Sequence, residues 1–264
     1  MAVDVPAEPD PSRASQYDRA GLHFPDRTRE TAPSATTAGP PAPRRFPPGV
    51  LLCVHHVGPG YVVVDKPADL HAAPGRTPEK FDSIESRVRH VFHQATGPIT
   101  VHRLDLETSG LMVCALNPNV HRLLSRQFMN RRVGKEYTAL LDGLVDEDEG
   151  AVDLPLAVDW PNRPRQQVDY ENGKAARTLF RVLERDPRHG RTRVLFRPIT
   201  GRTHQLRVNA AVPRTEGGLG CPIVGDSLYD RSPSAFRLML HASLLGFWEP
   251  GSNEWVKFRS QPPF

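Results

Sequence analysis

Six consecutive apolar residues, Leu111-Met112-Val113-Cys114-Ala115-Leu116, read as a strand buried in a core. A small polar turn, Thr108-Ser109-Gly110, precedes them, and before that turn stand a carboxylate, Asp105, and an arginine, Arg103. A charge beside a core strand is costly unless something pairs with it. Asp105 is therefore either an acceptor for turn N–H groups or a functional group that the fold holds in place.

The chain becomes globular at about residue 48. Tyr61 to Asp65 reads as a strand, and residues 82–95 as a helix capped by Asp82, with Ile84, Val88, Val91 and Phe92 on one face. Asn117-Pro118 starts a second helix whose apolar stripe is Val120, Leu123, Leu124 and Phe128, its arginines facing outward. After Gly134 the pattern is strand-rich: residues 135–143, 177–184, 192–199, 203–211, 238–248 and 254–259. Long strands with few helices predict an α+β fold on a mixed, mostly antiparallel sheet. Residues 1–47, rich in Pro, Ala, Thr and Arg, predict a flexible tail, because such a segment buries too little surface to offset its ordering entropy. Its arginines could still lend basic contacts to a partner.

The 264 residues carry 34 Lys and Arg against 30 Asp and Glu, an excess small enough to serve solubility alone. Its placement says more: Arg122, Arg126, Arg131, Arg132 and Lys135 cluster, as do Arg163, Arg165, Lys174 and Arg177. Such clusters suit phosphate or, for the first, a solvated helix face. Three scattered cysteines, Cys53, Cys114 and Cys221, argue for a reducing compartment and against structural zinc. Neither a long apolar span nor an apolar signal core is present, so the expected location is the cytoplasm and no membrane contact is expected.

The string Val101-His102-Arg103-Leu104-Asp105-Leu106-Glu107-Thr108-Ser109-Gly110 resembles the catalytic motif of the RluA-type pseudouridine synthases, in which the aspartate is essential. Tyr61 to Leu70, with Asp65-Lys66-Pro67, is similar to the family's first motif, and Gly134-Lys135-Glu136-Tyr137-Thr138-Ala139 to its tyrosine motif. Gly201-Arg202-Thr203-His204-Gln205-Leu206-Arg207-Val208 is similar to its third, followed by Pro222-Ile223-Val224-Gly225-Asp226 and Leu238-Met239-Leu240-His241-Ala242. The motifs come in family order over residues 48–264. Asp153 to Gln166 resembles the branch that modifies both transfer RNA and large-subunit ribosomal RNA. Three departures stand out. Asn209 and Cys221 occupy positions where the family more often has histidine, and the stretch Ala211 to Gly220 is longer.

The resemblance implies a pseudouridine synthase core of two subdomains sharing a sheet, with an active cleft between them. It implies a monomer that binds an RNA stem-loop and has no obligate protein partner. The expected targets are uridine 32 of a tRNA anticodon loop, uridine 746 of 23S rRNA, or both. Alternatives are the same chemistry at another uridine, or an RNA-binding protein without turnover. Turning uridine into pseudouridine adds and removes no atoms, so no cofactor or metal is expected, and the chain has no phosphate loop or metal-spaced His/Cys cluster. By resemblance Asp105 is the catalytic carboxylate, either as nucleophile or as the base that takes the ribose 2′ proton to give a glycal, the route favoured for the family. Arg207 is the candidate for its ion pair, with Arg202 as runner-up or phosphate contact. Tyr137 offers a ring for the extracted uracil and a hydroxyl near its edge, Leu240 closes the pocket, and Arg103 enters the space that the flipped base leaves. His102, His204 and His241 each read as hydrogen-bonding within the fold, Asp65 and Lys66 as structural, and Asp226 as a turn cap without a catalytic role.

Overall fold

The computed structural model describes residues 52–230 and 235–264, so the expected tail lies outside the described residues. The strands are β1 (Cys53–Gly58), β2 (Tyr61–Lys66), β3 (Ser109–Ala115), β4 (Gly134–Asp142), β5 (Glu149–Val158), β6 (Gln166–Val168), β7 (Lys174–Asp186), β8 (Arg191–Pro198), β9 (Leu240–Trp248) and β10 (Trp255–Arg259). They join in one sheet in the order β1-β2-β3-β9-β4-β8-β7-β5-β6, with β10 on β9. All pairings are antiparallel except β3 with β9, which meet in parallel at Ser109–His241 and Gly110–Ala242. Among the described residues three α-helices, α1 (Ile84–Val91), α2 (Pro118–Met129) and α3 (Gln205–Ala211), complete the expected α+β fold.

Burial follows from how many faces the helices cover. On one side of β2 and β3, Ile84 and Val88 of α1 pack with Val62, Val64, Met112 and Cys114. On the other, Val120 and Leu124 of α2 pack with Tyr61, Val63, Leu111 and Val113. Covered on both faces, β3 is buried at every residue, and only a continuous apolar run satisfies that environment. Across β4, β8, β7 and β5 a third cluster forms with Leu206, Val208 and Ala210 of α3. There one face is covered, and the strands alternate buried and half-exposed residues.

Gly110 sets the junction of the two halves. Its φ is +114°, and a Cβ there would stand 2.5 Å from the Ala242 backbone nitrogen and oxygen. Only glycine lets β3 approach β9 this closely, and that approach fixes the end of the Asp105 loop.

Three expectations need correction. The cap of α1 is Ser83, not Asp82: the Ser83 hydroxyl accepts from the Ser86 N–H at 3.1 Å and Ser86 Oγ from the Ser83 N–H at 2.9 Å, while Asp82 takes the Arg87 guanidinium. The helix stops at Val91, short of residue 95. Residues 203–211, expected as a strand, turn through His204 at φ +52° into α3. Gln205 Oε1 accepts from Thr200 Oγ1 at 2.7 Å and from the Arg202 N–H at 3.0 Å, which ties down the helix start, and all residues from Gln205 to Ala210 are buried. Burial around the whole turn erases the amphipathic signal that would betray a helix. The second helix begins as expected, with Asn117 Oδ1 accepting from the Val120 N–H at 2.9 Å behind Pro118.

Candidate active site

Asp105 lies in the loop that enters β3, half-buried, in a cleft of about 290 Å³. The cleft is lined on one side by His71 to Gly75, on another by Arg103 to Leu106, and opposite by Thr203 and His204. The loop is braced from below. Lys66, 0% exposed at the end of β2, donates from Nζ to the carbonyls of Leu70 at 2.7 Å, Leu106 at 2.8 Å and Pro67 at 2.9 Å. The Leu106 carbonyl also accepts from the Asp69 N–H, and the Thr108 N–H donates to the Asp105 carbonyl. Three carbonyls saturate the ammonium. Burial pulls its pKa down to about 8, against the opposing charges of Asp105 and Asp69. Lys66 is thus the floor of the Asp105 loop.

Arg207, on α3 and 1% exposed, stands behind His204. It makes a bidentate pair with Asp226, Nε to Oδ2 at 2.8 Å and Nη2 to Oδ1 at 2.6 Å. Its remaining Nη1 reaches Glu107 Oε2 at 2.7 Å, and Ser227 Oγ donates to the other Glu107 oxygen at 2.7 Å. The guanidinium expected on Asp105 is therefore bonded to Asp226 and Glu107, and the charge of Asp105 reaches it only through space. The cause is geometric: Asp226 follows a left-handed Gly225 and also accepts the N–H groups of Leu228 and Tyr229, so a turn presents both its oxygens to α3. Burial works against the Arg207 charge, but the bonds to Asp226 and the charges of Asp226, Glu107 and Asp105 hold its pKa above the ordinary value.

Tyr137 sits on β4 at a bulge against β9, where it packs against both the α3-side and the α1-side cores. Burial first and the negative charge of Asp105 second push its phenol above the ordinary value, so ring and carboxylate share one environment. Leu240, 2% exposed on β9, belongs to the α3-side core, and its carbonyl accepts from Ser109 Oγ. Arg103 lines the cleft and is exposed. Tyr137, Leu240 and Arg202 are not among the residues that line the cleft, and Arg202 Nε donates to the Ala175 carbonyl of β7 at 3.1 Å.

The histidines bond within the fold, as expected. His102 Nε2 accepts from the Val113 N–H at 3.1 Å and stacks on Phe128, and burial takes its pKa down to about 3. His241 joins Ser109 Oγ at 2.9 Å to Ser260 Oγ at 3.0 Å. His204 Nδ1 lies 2.9 Å from the Tyr229 hydroxyl, and burial, opposed by Asp105, holds the imidazole below its ordinary value. Sequence reasoning missed Glu107, read Asp226 as a turn cap only, and gave Tyr229 no role. The one available signal was a second carboxylate, two residues after Asp105, in a loop already singled out.

Known proteins share this sequence and this fold. The family model for RNA pseudouridylate synthase matches residues 60–211. The dual-specificity RNA pseudouridine synthase RluA of Pasteurella multocida is 43% identical over 222 residues, covering 83% of this chain and 96% of the relative. RluA of Escherichia coli K12 is 43% identical over 207 residues, covering 77% and 90%. Among solved structures, human RNA pseudouridylate synthase domain containing 1 superimposes with a TM-score of 0.66 at 31% identity, covering 83% of this chain and 87% of that one. The motif loop, the sheet that carries it and the near full-length match to such relatives lead to one conclusion: the chain belongs to the RluA family of RNA pseudouridine synthases, isomerases that rearrange a nucleotide within its own chain.

Proposed function

We propose that the chain isomerises a specific uridine in RNA stem-loops, in a tRNA anticodon loop, in 23S rRNA, or in both, with Asp105 as the catalytic carboxylate. The observation that carries this reading is the setting of Asp105: a carboxylate in an open cleft, on a loop floored by Lys66, with Tyr137 and the buried Arg207 close enough to exchange charge effects with it. The C1′–N1 bond of the uridine breaks and a C1′–C5 bond forms, while C5 loses a proton and N1 gains one. Asp105 serves as the base that takes the ribose 2′ proton, giving a glycal, or as the nucleophile, and both routes need its ionised form. Tyr137 supplies a flat face for the released uracil beside that carboxylate, and Leu240 the apolar wall behind it. Arg103, exposed at the mouth, fills the space the flipped base vacates, which offsets part of the few kcal/mol that unstacking costs. Arg202, which precedes the cleft residue Thr203 in the chain, meets the RNA backbone.

The two halves of the sheet, joined at Gly110 and Ala242, carry the loops that wall this cleft. RluA of Pasteurella multocida and of Escherichia coli are dual-specificity enzymes by name, and the identity to both supports an assignment to tRNA and rRNA loops. The test maps pseudouridines by carbodiimide labelling and primer extension in RNA from cells with and without the protein, complemented by wild type or Asp105→Asn. A signal in an anticodon loop, restored by wild type alone, supports the reading. A signal lost at a ribosomal site alone removes the tRNA half, and no lost signal at either RNA overturns the assignment.

A further inference from the structure

Trp160 is 67% exposed, although a tryptophan in water forfeits more apolar burial than any other side chain. One exposed aromatic is ordinary on a protein surface, so exposure alone says nothing. Four further facts single this one out. The Arg163 guanidinium lies over the indole, 3.3 Å from its centroid, and with one face so covered the 67% exposure of Trp160 assigns the solvent-facing surface to the other. The loop that holds both is closed and braced: the Asp159 N–H donates to the Arg165 carbonyl at 3.0 Å, the Arg165 N–H to the Asn162 carbonyl at 3.0 Å, and Asn162 Nδ2 to the Asp159 carboxylate. Its base is tethered to the cleft, since the Gln166 N–H donates to the Tyr229 hydroxyl at 2.7 Å and that hydroxyl meets His204, a lining residue. The loop carries two exposed arginines, Arg163 and Arg165, against one carboxylate, Asp159, whose oxygens take the Asn162 amide.

Together these describe a rigid, positively charged aromatic platform continuous with the wall of the cleft. We propose that the open face of Trp160, backed by Arg163, is a stacking seat for a second, unpaired base of the same RNA loop whose uridine enters the cleft. This deepens, and rests on, the assignment of an RNA stem-loop substrate. A base suits the seat because it offers a π-face to the indole while its phosphates meet Arg163 and Arg165. A preorganised platform loses little freedom on binding. Trp160 is in this account a specificity residue: it selects loops with an unpaired base at the right distance from the target uridine.

The experiment titrates the full chain with anticodon and 23S stem-loop RNAs and compares wild type, Trp160→Ala, Trp160→Phe and Arg188→Ala, the last an exposed arginine in the β7–β8 turn. Trp160→Ala raises Kd by roughly 5- to 150-fold, the value of one stacked base, and Trp160→Phe by less. The plot of log Kd against log salt shifts without changing slope, because a stacking contact releases no counterion. In turnover the loss appears in KM far more than in kcat. RNA quenches tryptophan fluorescence in wild type, and Trp160→Phe, which keeps only Trp248 and Trp255, loses that quenching. A Kd for Trp160→Ala within 2-fold of both wild type and Arg188→Ala overturns the proposal. If wild type converts neither stem-loop, it is the substrate assignment that fails. The same titration on unfractionated cellular RNA then decides the platform, by the same 2-fold criterion.

Discussion

Asp226→Asn puts the buried arginine to the test. The pair is sealed: the side chains of Arg207 and Asp226 are 2% and 0% exposed, so water cannot take over for a missing carboxylate. Removing one partner of a buried pair costs about 3–5 kcal/mol, because the remaining charge is left uncompensated. Asparagine keeps the volume but has one oxygen, whereas Asp226 now accepts from Arg207 Nε, Arg207 Nη2 and the N–H groups of Leu228 and Tyr229. Wherever its amide turns, its NH2 faces another donor. Glu107 still holds Arg207 Nη1 at 2.7 Å and, being 21% exposed, offsets part of the charge, which places the expected loss near the lower limit, about 3 kcal/mol. Urea unfolding followed by circular dichroism measures it, and with an m-value of about 3 kcal/mol/M the midpoint falls by about 1 M. Glu171→Gln, an exposed carboxylate, moves it by less than about 0.2 M. Because the arginine loses its anchor behind the cleft, kcat falls at least 10-fold in the fraction that remains folded. A loss below about 1 kcal/mol would refute the reasoning, since it would mean that Glu107 and solvent suffice for the guanidinium.

Three further outcomes follow from neighbouring contacts. Glu107→Gln, which touches a more exposed carboxylate, costs about 1 kcal/mol or less in urea unfolding yet lowers kcat more than KM, and a loss equal to that of Asp226→Asn would contradict the ranking. Lys66 has a folded pKa depressed from 10.5 to about 8, so between these values the unfolded chain binds more protons and wild-type stability rises with pH. Lys66→Met lacks this contribution, so the stability gap between wild type and variant widens by about 2 kcal/mol from pH 8 to pH 10, and a constant gap would show that the ammonium is not depressed. Gly110→Ala meets the Ala242 backbone at 2.5 Å and a left-handed φ, and loses at least about 2 kcal/mol in thermal unfolding; a neutral effect would mean that the β3–β9 junction is slack.

What the sequence made legible, and what it did not, divides along local and tertiary lines. Strand β3 could be read because a strand covered on both faces leaves no polar position. The start of α2 could be read because Asn117 and Pro118 cap it with their own atoms. Helix α3 could not: Thr203 to Val208 alternates as a strand would, and only the distant Thr200–Gln205 contact and burial on all sides make it helical. Strands β1 and β6, at the two ends of the sheet, were missed because β1 is largely exposed and β6 is three residues long, and β5 because Pro155 argues against a strand inside a sheet. Asp105, Tyr137 and Arg207 were legible through motifs that stand in order. The partners of Arg207 were not, because Asp226 and Glu107 lie 19 and 100 positions away in the chain and meet it only in the folded state.

The central claim is that Asp105 drives an isomerisation in which C5 of the target uridine forms the new bond to ribose and gives up its hydrogen. Stem-loop RNA labelled with tritium at C5 of uridine therefore reports the chemistry directly. Purified wild type should release into water one tritium equivalent per target uridine, and Asp105→Asn none, although it binds the RNA with an affinity within about 3-fold of wild type. Release by Asp105→Asn at a rate near that of wild type would contradict the account.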